Sequence, residues 1–252
     1  MMNFLKSNKK KNITFLLIIL ASFILYLNST IAFLFYKKVI IHRVNSIEKL
    51  NEVKNKFIGV ELDLIYDSHT RKLDVNHPPA LSINLDLNDY LAQSKDIKNL
   101  IYWLDYKNID VSNKTNSLIA LDKIVEKFKI PKNKIIIESS YPEHIQVFKK
   151  GGYITSYYLP PFLYNKSRDS LNILLNHIRI QTKKFPTDYI SFDSKNFPII
   201  KKNFPKLKKI SWQSGDNQIM NKLLSKILVY EALLDKNVDY MLIPFESKKF
   251  ER

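Results

Sequence analysis

The sequence predicts an α/β fold, a (β/α)8 TIM barrel preceded by a single N-terminal transmembrane helix or signal sequence. Residues 13–36 carry no charged side chain, which sets the front of the chain apart from the rest. Beyond residue 38, eight apolar, strand-like runs alternate with helix-like segments, and no Pro- or Ser-rich linker interrupts them. Strict alternation favours a parallel sheet, and eight units favour closure into a barrel. An open doubly wound sheet is the alternative.

The N-terminal run is long enough to cross a bilayer. As a helix rising about 1.5 Å per residue it reaches roughly 36 Å. Lysines flank it on both sides, at Lys6, Lys9, Lys10, Lys11, Lys37 and Lys38. The basic front end should stay in the cytoplasm, which places residues 39–252 on the periplasmic or extracellular side. We therefore expect a single-pass membrane protein with two parts, residues 1–38 and the barrel at 39–252.

Cleavage of this segment as a signal peptide is the alternative, and it would make the protein secreted. Residues 30–32, Thr-Ile-Ala, resemble a small-x-small cleavage site. The apolar run continues through residues 33–36, which favours a retained anchor.

The barrel elements follow from apolar periodicity, with runs of four to eight apolar residues for strands and a 3.6-residue spacing for helices. The predicted strands span residues 39–42, 57–64, 100–105, 134–138, 153–159, 189–193, 207–213 and 238–244. The predicted helices begin at Ser46, as an N-cap, and cover residues 116–130, 142–150, 167–184, 196–204 and 217–235. A further extended piece at 73–77 ends at two prolines.

Composition excludes several classes of function. The chain has no cysteine, which rules out thiol catalysis and Cys-based zinc sites. Its four glycines cannot form a dinucleotide-binding or Walker loop. The net charge is +16, and because six lysines and no acid lie in residues 1–38, the remainder carries +10. Lysines are spread along the whole chain and arginines are few, so we expect no nucleic-acid partner.

Acidic residues at the ends of the predicted strands indicate a cation site. Glu61 and Asp63 are two residues apart on one strand, so both side chains can face the barrel mouth. Two adjacent carboxylates repel unless a cation lies between them. Asp105 at the end of the next long strand completes three hard oxygen ligands, the set preferred by Mg²⁺ or Ca²⁺.

Basic and aromatic residues at neighbouring strand ends indicate phosphate chemistry. His42 and His77 are suited to general acid and base roles beside a cation. Lys107 lies two residues after Asp105, where its charge can hold a phosphate oxygen. Three more residues are candidate substrate contacts: Arg43, Glu138 and Trp212. Glu138 could instead pair with Lys107, and Trp212 could instead belong to the core.

Four segments carry a resemblance to a known family. They are His42-Arg43-Val44-Asn45-Ser46, Val60-Glu61-Leu62-Asp63, His77-Pro78-Pro79 and Trp103-Leu104-Asp105-Tyr106-Lys107-Asn108. This set resembles the glycerophosphodiester phosphodiesterase-like superfamily of TIM barrels, and within it most closely the menorin family. The resemblance implies one divalent cation on Glu61, Asp63 and Asp105, His42 and His77 as the acid/base pair, and Lys107 on the phosphate. Val44 and Pro78 depart from the glycerophosphodiesterase pattern, which has glycine and aspartate there.

Two functions are therefore expected, in this order. The first is an exported, membrane-tethered, metal-dependent phosphodiesterase acting on a glycerophosphodiester or a lysophospholipid head group. The second is a non-catalytic surface module that keeps the barrel and uses its mouth for recognition. The sequence leaves the oligomeric state open.

Overall fold

A computed structural model of the chain describes residues 34–93, 97–213 and 219–247. Within these residues the strands are β1 Val39–Ile41, β2 Gly59–Asp67, β3 Lys72–Val75, β4 Ile101–Tyr106, β5 Ile135–Ser139, β6 Ile154–Tyr158, β7 Tyr189–Asp193, β8 Lys209–Trp212 and β9 Val238–Ile243. The helices are α1 Ile47–Val53, α2 Leu87–Ala92, α3 Lys114–Phe128, α4 Gln146–Lys150, α5 Arg168–Lys184, α6 Phe197–Asn203 and α7 Ile219–Leu234.

Eight strands form a closed parallel barrel, which confirms the barrel part of the predicted fold. The strands pair in the order β1, β2, β4, β5, β6, β7, β8 and β9. The circle closes at β1, where Ile41 is in register with Val60 of β2 and with Ile243 of β9. The open sheet considered as an alternative is wrong, because the first and last strands pair directly.

Strand β3 is the one antiparallel member of the described sheet. Strand β2 runs three residues beyond its predicted end at Leu64, and β3 pairs with this extension. Leu64 is in register with Tyr106 on one edge and with Val75 on the other. The β2–β3 hairpin therefore projects from the carboxyl end of the barrel and delivers the chain to His77 there.

The helices differ most from the predicted ones at two places, and the remaining boundaries agree to within two residues. The helix predicted over 142–150 is limited to α4, because residues 142–145 form turns. The prediction omitted α2, which has only six residues. Asp86 is its N-cap and accepts a hydrogen bond from the backbone N of Asp89 at 2.9 Å. Its buried side chains, Leu87, Tyr90 and Leu91, attach it to the core.

Two apolar clusters stabilise the barrel. The larger lies between the strands and the surrounding helices. The smaller fills the barrel interior and contains Ile40, Trp103, Ile136, Ile210 and Leu242. Gly59 starts β2 at a point where a Cβ would lie 2.5 Å from the carbonyl oxygen of Ile101, so only glycine fits. Because side chains alternate along each strand, the inward positions above the small cluster are those of the polar strand-end residues.

The chain enters the barrel through a short 3-10 helix, Tyr36–Lys38. Lys38 Nζ donates to the carbonyl oxygens of Leu233, Asp235 and Val238 at 2.9, 3.3 and 2.8 Å, which fixes the start of β1 against the end of α7. Residues 13–33 of the predicted membrane segment lie outside the described residues. Among the residues described, no helix combines the length and apolar character needed to cross a bilayer.

A carboxylate joins two strands at the amino-terminal end of the barrel. Asp188 accepts hydrogen bonds from the backbone N and the hydroxyl of Thr155 at 2.8 and 2.9 Å, and pairs with Lys149 at 2.9 Å. Burial works against ionisation of Asp188, but the hydrogen bonds from Lys149 and Thr155 outweigh it and lower the pKa of the carboxyl.

Asp188→Asn should lower the free energy of unfolding by about 1 kcal/mol at neutral pH, since hydrogen bonds to a charged group contribute about 1.5–3 kcal/mol and solvent screens this half-exposed one. The stabilisation is present above the usual Asp pKa of about 4 and disappears as pH falls through the lower folded-state pKa. Urea unfolding of wild type and variant at several pH values measures this difference. Glu126→Gln, at an exposed position on α3, is the control; a difference that grows on acidification would contradict the prediction.

Candidate active site

The nine residues singled out from the sequence all line one pocket at the carboxyl ends of the strands. The pocket has a volume of about 120 Å³. Its lining includes His42, Arg43, Glu61, Asp63, His77, Asp105, Lys107, Glu138 and Trp212. The carboxyl ends of the strands of a (β/α)8 barrel are where its sites are formed. The strands thus bring every predicted residue together, and their individual roles stay predictions.

Strand register explains why the acidic residues converge. Asp63 of β2 is the direct partner of Asp105 of β4, and Asp105 is the direct partner of Glu138 of β5. Glu61 lies two residues before Asp63 and faces the same side. Ligand oxygens of Glu61, Asp63 and Asp105 lie within 4.8 Å of one another. Three hard oxygen donors at this spacing fit one divalent cation such as Mg²⁺ or Ca²⁺.

Lys107 supplies the positive charge among these oxygens. Its Nζ lies 2.8 Å from Oδ1 of Asp63 and also contacts Oδ2 of Asp105. Burial alone would lower the pKa of Lys107, but the carboxylates of Asp105 and Asp63 outweigh it and raise that pKa. The ammonium therefore occupies part of the space that a cation held by the same oxygens would use.

Three of the carboxyls, those of Glu61, Asp105 and Glu138, retain protons more strongly than usual, and burial is the largest cause for each. Burial, reinforced by the charges of Asp63 and Asp105, raises the pKa of Glu61 well above its ordinary value. The backbone N of Arg43 donates to Glu61 Oε2 at 2.6 Å and partly offsets this effect. Burial and the charge of Asp105 raise the pKa of Glu138 to about 8. Burial therefore opposes the ionised form of these carboxyls, and a nearby positive charge favours it.

Asn45 is a site residue for which sequence reasoning assigned no role. Its Nδ2 donates to Asp63 Oδ2 at 2.6 Å, and its Oδ1 accepts from the backbone N of Asp63 at 3.0 Å. This reciprocal pair fixes Asp63 in both position and orientation. The indication was present in the motif that includes His42 and Asn45, but no spacing rule relates Asn45 to β2.

The histidines face the mouth from two directions. The backbone N of His42 donates to the carbonyl of Ile243 at 3.0 Å, and its Nε2 lies 3.7 Å from Glu61 Oε2. Burial and the positive charge of Arg43 lower the pKa of His42 to about 4, so the ring is neutral at pH 7. His77 Nε2 lies 3.0 Å from Nη2 of Arg43, and because guanidinium can only donate, this ring nitrogen is the acceptor.

The turn that positions Arg43 has an unusual backbone. Arg43 has a φ of 53°, in the left-handed region of backbone conformation that residues other than glycine rarely adopt. Lys49 Nζ donates to the carbonyl oxygens of His42 and Arg43 at 2.9 and 3.1 Å and so stabilises this conformation. The turn directs the Arg43 side chain toward His77 and its N–H toward Glu61.

An aromatic pair forms one wall of the pocket. Tyr158 and Trp212 stack with ring centroids 4.8 Å apart and planes 11° from parallel. Trp212 is half-buried. It packs against the interior cluster and also lines the pocket at the barrel mouth. Tyr158 was absent from the predicted site, although counting every second residue along β6 places it on the inner face. The flat pair suits contact with an apolar or planar part of a bound molecule.

The fold and this site together define a (β/α)8 barrel with a polar, cation-compatible mouth. No family model and no curated protein sequence matches the chain. Solved structures do share its fold. A glycerophosphodiester phosphodiesterase from Parabacteroides distasonis superposes with a TM-score of 0.54 at 16% identity, over 82% of this chain and 92% of that one.

Two further structures show how widely the fold is shared. A phosphodiesterase from Oleispira antarctica, in complex with the product sn-glycerol-3-phosphate, gives a TM-score of 0.52 at 12% identity, with 83% and 94% of the chains covered. Orotidine 5'-monophosphate decarboxylase from Methanocaldococcus jannaschii gives a TM-score of 0.50 at 17% sequence identity, over 83% of this chain and 89% of that one. At these identities the likeness establishes the fold, and the reaction has to be argued from the site.

Replacing Lys107 with glutamine should destabilise the fold by about 2–4 kcal/mol, because it leaves Asp63 and Asp105 without their counter-charge. Added Mg²⁺ or Ca²⁺ should then raise the melting temperature of the variant more than that of wild type, because the competing ammonium is gone. Thermal unfolding with and without each cation measures both effects.

Lys149→Gln is the matched control, since it also removes the lysine of an ion pair but lies at the opposite end of the barrel. It should show no cation-dependent gain beyond that of wild type. Equal increases in the melting temperatures of the two variants on adding the cation would contradict a cation site among Glu61, Asp63 and Asp105.

Proposed function

We propose that this protein is a phosphodiester hydrolase that uses one divalent cation held by Glu61, Asp63 and Asp105. The observation that carries the proposal is the convergence of these three oxygen donors with two imidazoles and two basic side chains in one pocket. The fold shared with glycerophosphodiester phosphodiesterases supports it. The sequence motifs point to the same superfamily, and more finely to menorin-like proteins.

The donor set fits a hard divalent cation, Mg²⁺ or Ca²⁺. All three groups are carboxylates, and each is positioned by strand register or by a backbone or Asn45 hydrogen bond. When bound, such a cation neutralises charge that develops on the phosphate oxygens in the transition state. Arg43 and Lys107 line the same pocket. Once a cation replaces the Lys107 ammonium between Asp63 and Asp105, both side chains could hold the phosphate oxygens.

The two histidines exchange protons with the reacting oxygens. His42 is neutral at pH 7 and therefore accepts the proton of the attacking hydroxyl, from water or from the substrate itself. The attacking oxygen forms a bond to phosphorus while the bond to the leaving oxygen breaks. Once Arg43 turns from His77 Nε2 toward the phosphate, this nitrogen takes up a proton from solvent water and gives it to the leaving oxygen. A hydroxyl next to the phosphate in the substrate would give a cyclic phosphate as the first product.

The substrate class we propose is a glycerophosphodiester or a lysophospholipid head group. A pocket of about 120 Å³ accommodates a phosphate with a small polyol, and the Tyr158–Trp212 pair offers a flat surface to an adjoining group. The Oleispira antarctica phosphodiesterase was solved with sn-glycerol-3-phosphate, a product of the same kind.

We also propose that residues 1–38 anchor the barrel, residues 39–252, to a membrane and that the barrel lies on the extracytoplasmic side. The support is the uncharged run at residues 13–36 with lysines on its amino-terminal flank. Release of the barrel by signal cleavage is the alternative, and N-terminal sequencing of the mature protein separates the two.

The decisive experiment is a screen of the purified full chain against a panel of phosphodiesters, with and without Mg²⁺ or Ca²⁺. Cation-dependent release of an alcohol and a phosphomonoester, or of a cyclic phosphate, supports the proposal. Binding of a phosphodiester without turnover would replace it with the recognition-module function.

Alanine at His42 or at His77 should each lower kcat by about 10²–10⁴-fold, because each ring moves a proton in the transition state. Substrate binding should change little, and the two losses should not add fully because the pair acts as a unit. Steady-state kinetics of the single and double variants measure this. His69→Ala, at an exposed histidine between β2 and β3, should keep wild-type turnover. Full activity in both single variants would exclude the catalytic assignment.

Glu61→Gln should weaken cation affinity by at least tenfold while leaving the fold intact, since the amide keeps the shape and removes a charge. Isothermal titration of the cation into wild type and variant measures the change. Asp67→Asn, an acid on the hairpin beyond the barrel, is the control and should leave affinity unchanged. An unchanged affinity in Glu61→Gln would remove Glu61 from the ligand set.

A further inference from the structure

We propose that the amino-terminal face of the barrel, opposite the candidate active site, is a docking surface for the head groups of anionic phospholipids. This surface is formed by the loops that enter the strands. It is separate from the pocket described above, and its function does not depend on the reaction carried out there.

Basic charge is concentrated on this face. In a parallel barrel all strand-entry loops lie at one end. Exposed lysines occur in the entries to β1, β2, β4, β8 and β9: Lys37, Lys56, Lys98, Lys206, Lys208 and Lys236. Lys208 pairs with Asp239 at 3.0 Å, and the other five form no ion pair with a described residue. Five uncompensated ammonium groups on one end of the barrel form a surface complementary to negative charge.

The opposite end of the barrel does not share this excess. The β2–β3 hairpin and the loops leaving the strands contain acids alongside their basic residues, including Asp67, Asp74, Asp110, Glu143 and Glu246. The lysine-rich composition of the chain therefore does not produce a uniformly basic molecule. The asymmetry along the barrel axis gives the domain a preferred orientation toward an anionic surface.

A cleft on the same face can receive a phosphate group. Its volume is about 380 Å³, larger than that of the candidate active site. Its polar lining consists of Lys37, Lys134, Asn99 and Asn133. The rest of the lining is Tyr36, Ile58, Ile101 and Tyr240. Lys134 Nζ donates to the carbonyl of Asn99 at 3.0 Å, which holds its ammonium at the cleft. Ammonium and amide donors are the groups that bind phosphate oxygens.

The course of the chain indicates which anionic partner meets this face. The uncharged run of residues 13–36 ends at the cleft, where Leu34 and Tyr36 are 61% and 51% exposed. Tyrosine and lysine are typical of the membrane–water interface. Lys38 is already fixed to the barrel by three carbonyls, so no free linker separates this run from the face. A bilayer containing the run would meet these lysines directly, which favours phospholipid over nucleic acid.

Proximity of each face to a bilayer tests the proposal. The chain has no cysteine, so single-cysteine variants can carry one dye. Asn55→Cys labels the strand-entry face, and Val111→Cys labels a loop at the mouth. The full chain is placed in vesicles of phosphatidylcholine, or of phosphatidylcholine with phosphatidylglycerol, each containing a lipid with a quencher on its head group. We expect quenching at Asn55→Cys that increases with phosphatidylglycerol and decreases with salt, and little quenching at Val111→Cys.

Lysine variants separate docking from simple tethering. Lys98→Gln with Lys206→Gln should shift the docking equilibrium toward the undocked state by about fivefold per lysine, which corresponds to about 1 kcal/mol each. Lys123→Gln with Lys166→Gln removes the same charge from exposed positions off this face and should leave quenching unchanged. Equal quenching of the two labels, no dependence on phosphatidylglycerol, or equal effects of the two lysine pairs would overturn the proposal.

Discussion

Buried negative charge at the barrel mouth is the constraint on which the rest of the site depends. Strand register places Asp63, Asp105 and Glu138 side by side, with Glu61 one inward position deeper. Such a group is stable only when positive charge or donated hydrogen bonds compensate it. Lys107 provides the charge in the structure, while burial and the neighbouring carboxylates raise the pKa values of Glu61 and Glu138. A divalent cation among the same oxygens would compensate this charge in place of the ammonium.

One turn after β1 organises much of this arrangement. Arg43 donates its N–H to Glu61, Asn45 fixes Asp63, and Ser46 caps α1 by accepting from the backbone N of Lys49 at 3.2 Å. Residues 43–46 make these three interactions within one turn, so the backbone there must be held in one conformation. The left-handed conformation of Arg43 is part of that turn. The His-Arg-Val-Asn-Ser motif is therefore as much a structural device as a set of candidate reacting groups.

Much of the fold was accessible from sequence because buried parallel strands are continuous apolar runs with polar ends. The same period-two rule correctly placed Glu61 and Asp63 on one face. It could not reveal the interactions of Asn45, because these link a turn to a strand distant in sequence. The extension of β2 to Asp67 and the short α2 were also missed, since pairing with β3 and packing of only three side chains define them. Long-range contacts, rather than local periodicity, determine these elements.

Closure of the barrel by β1 and β9 also governs when the pocket can exist during biosynthesis. His42 is among the first barrel residues to be synthesised, yet its backbone is held by the carbonyl of Ile243, in the last barrel strand. Until the last strand has been made, β1 lacks one of its two neighbours and the interior cluster lacks Leu242. A ribosome-bound chain therefore contains all of the acidic residues of the pocket before it can enclose them. The complete pocket forms only after synthesis of the final strand.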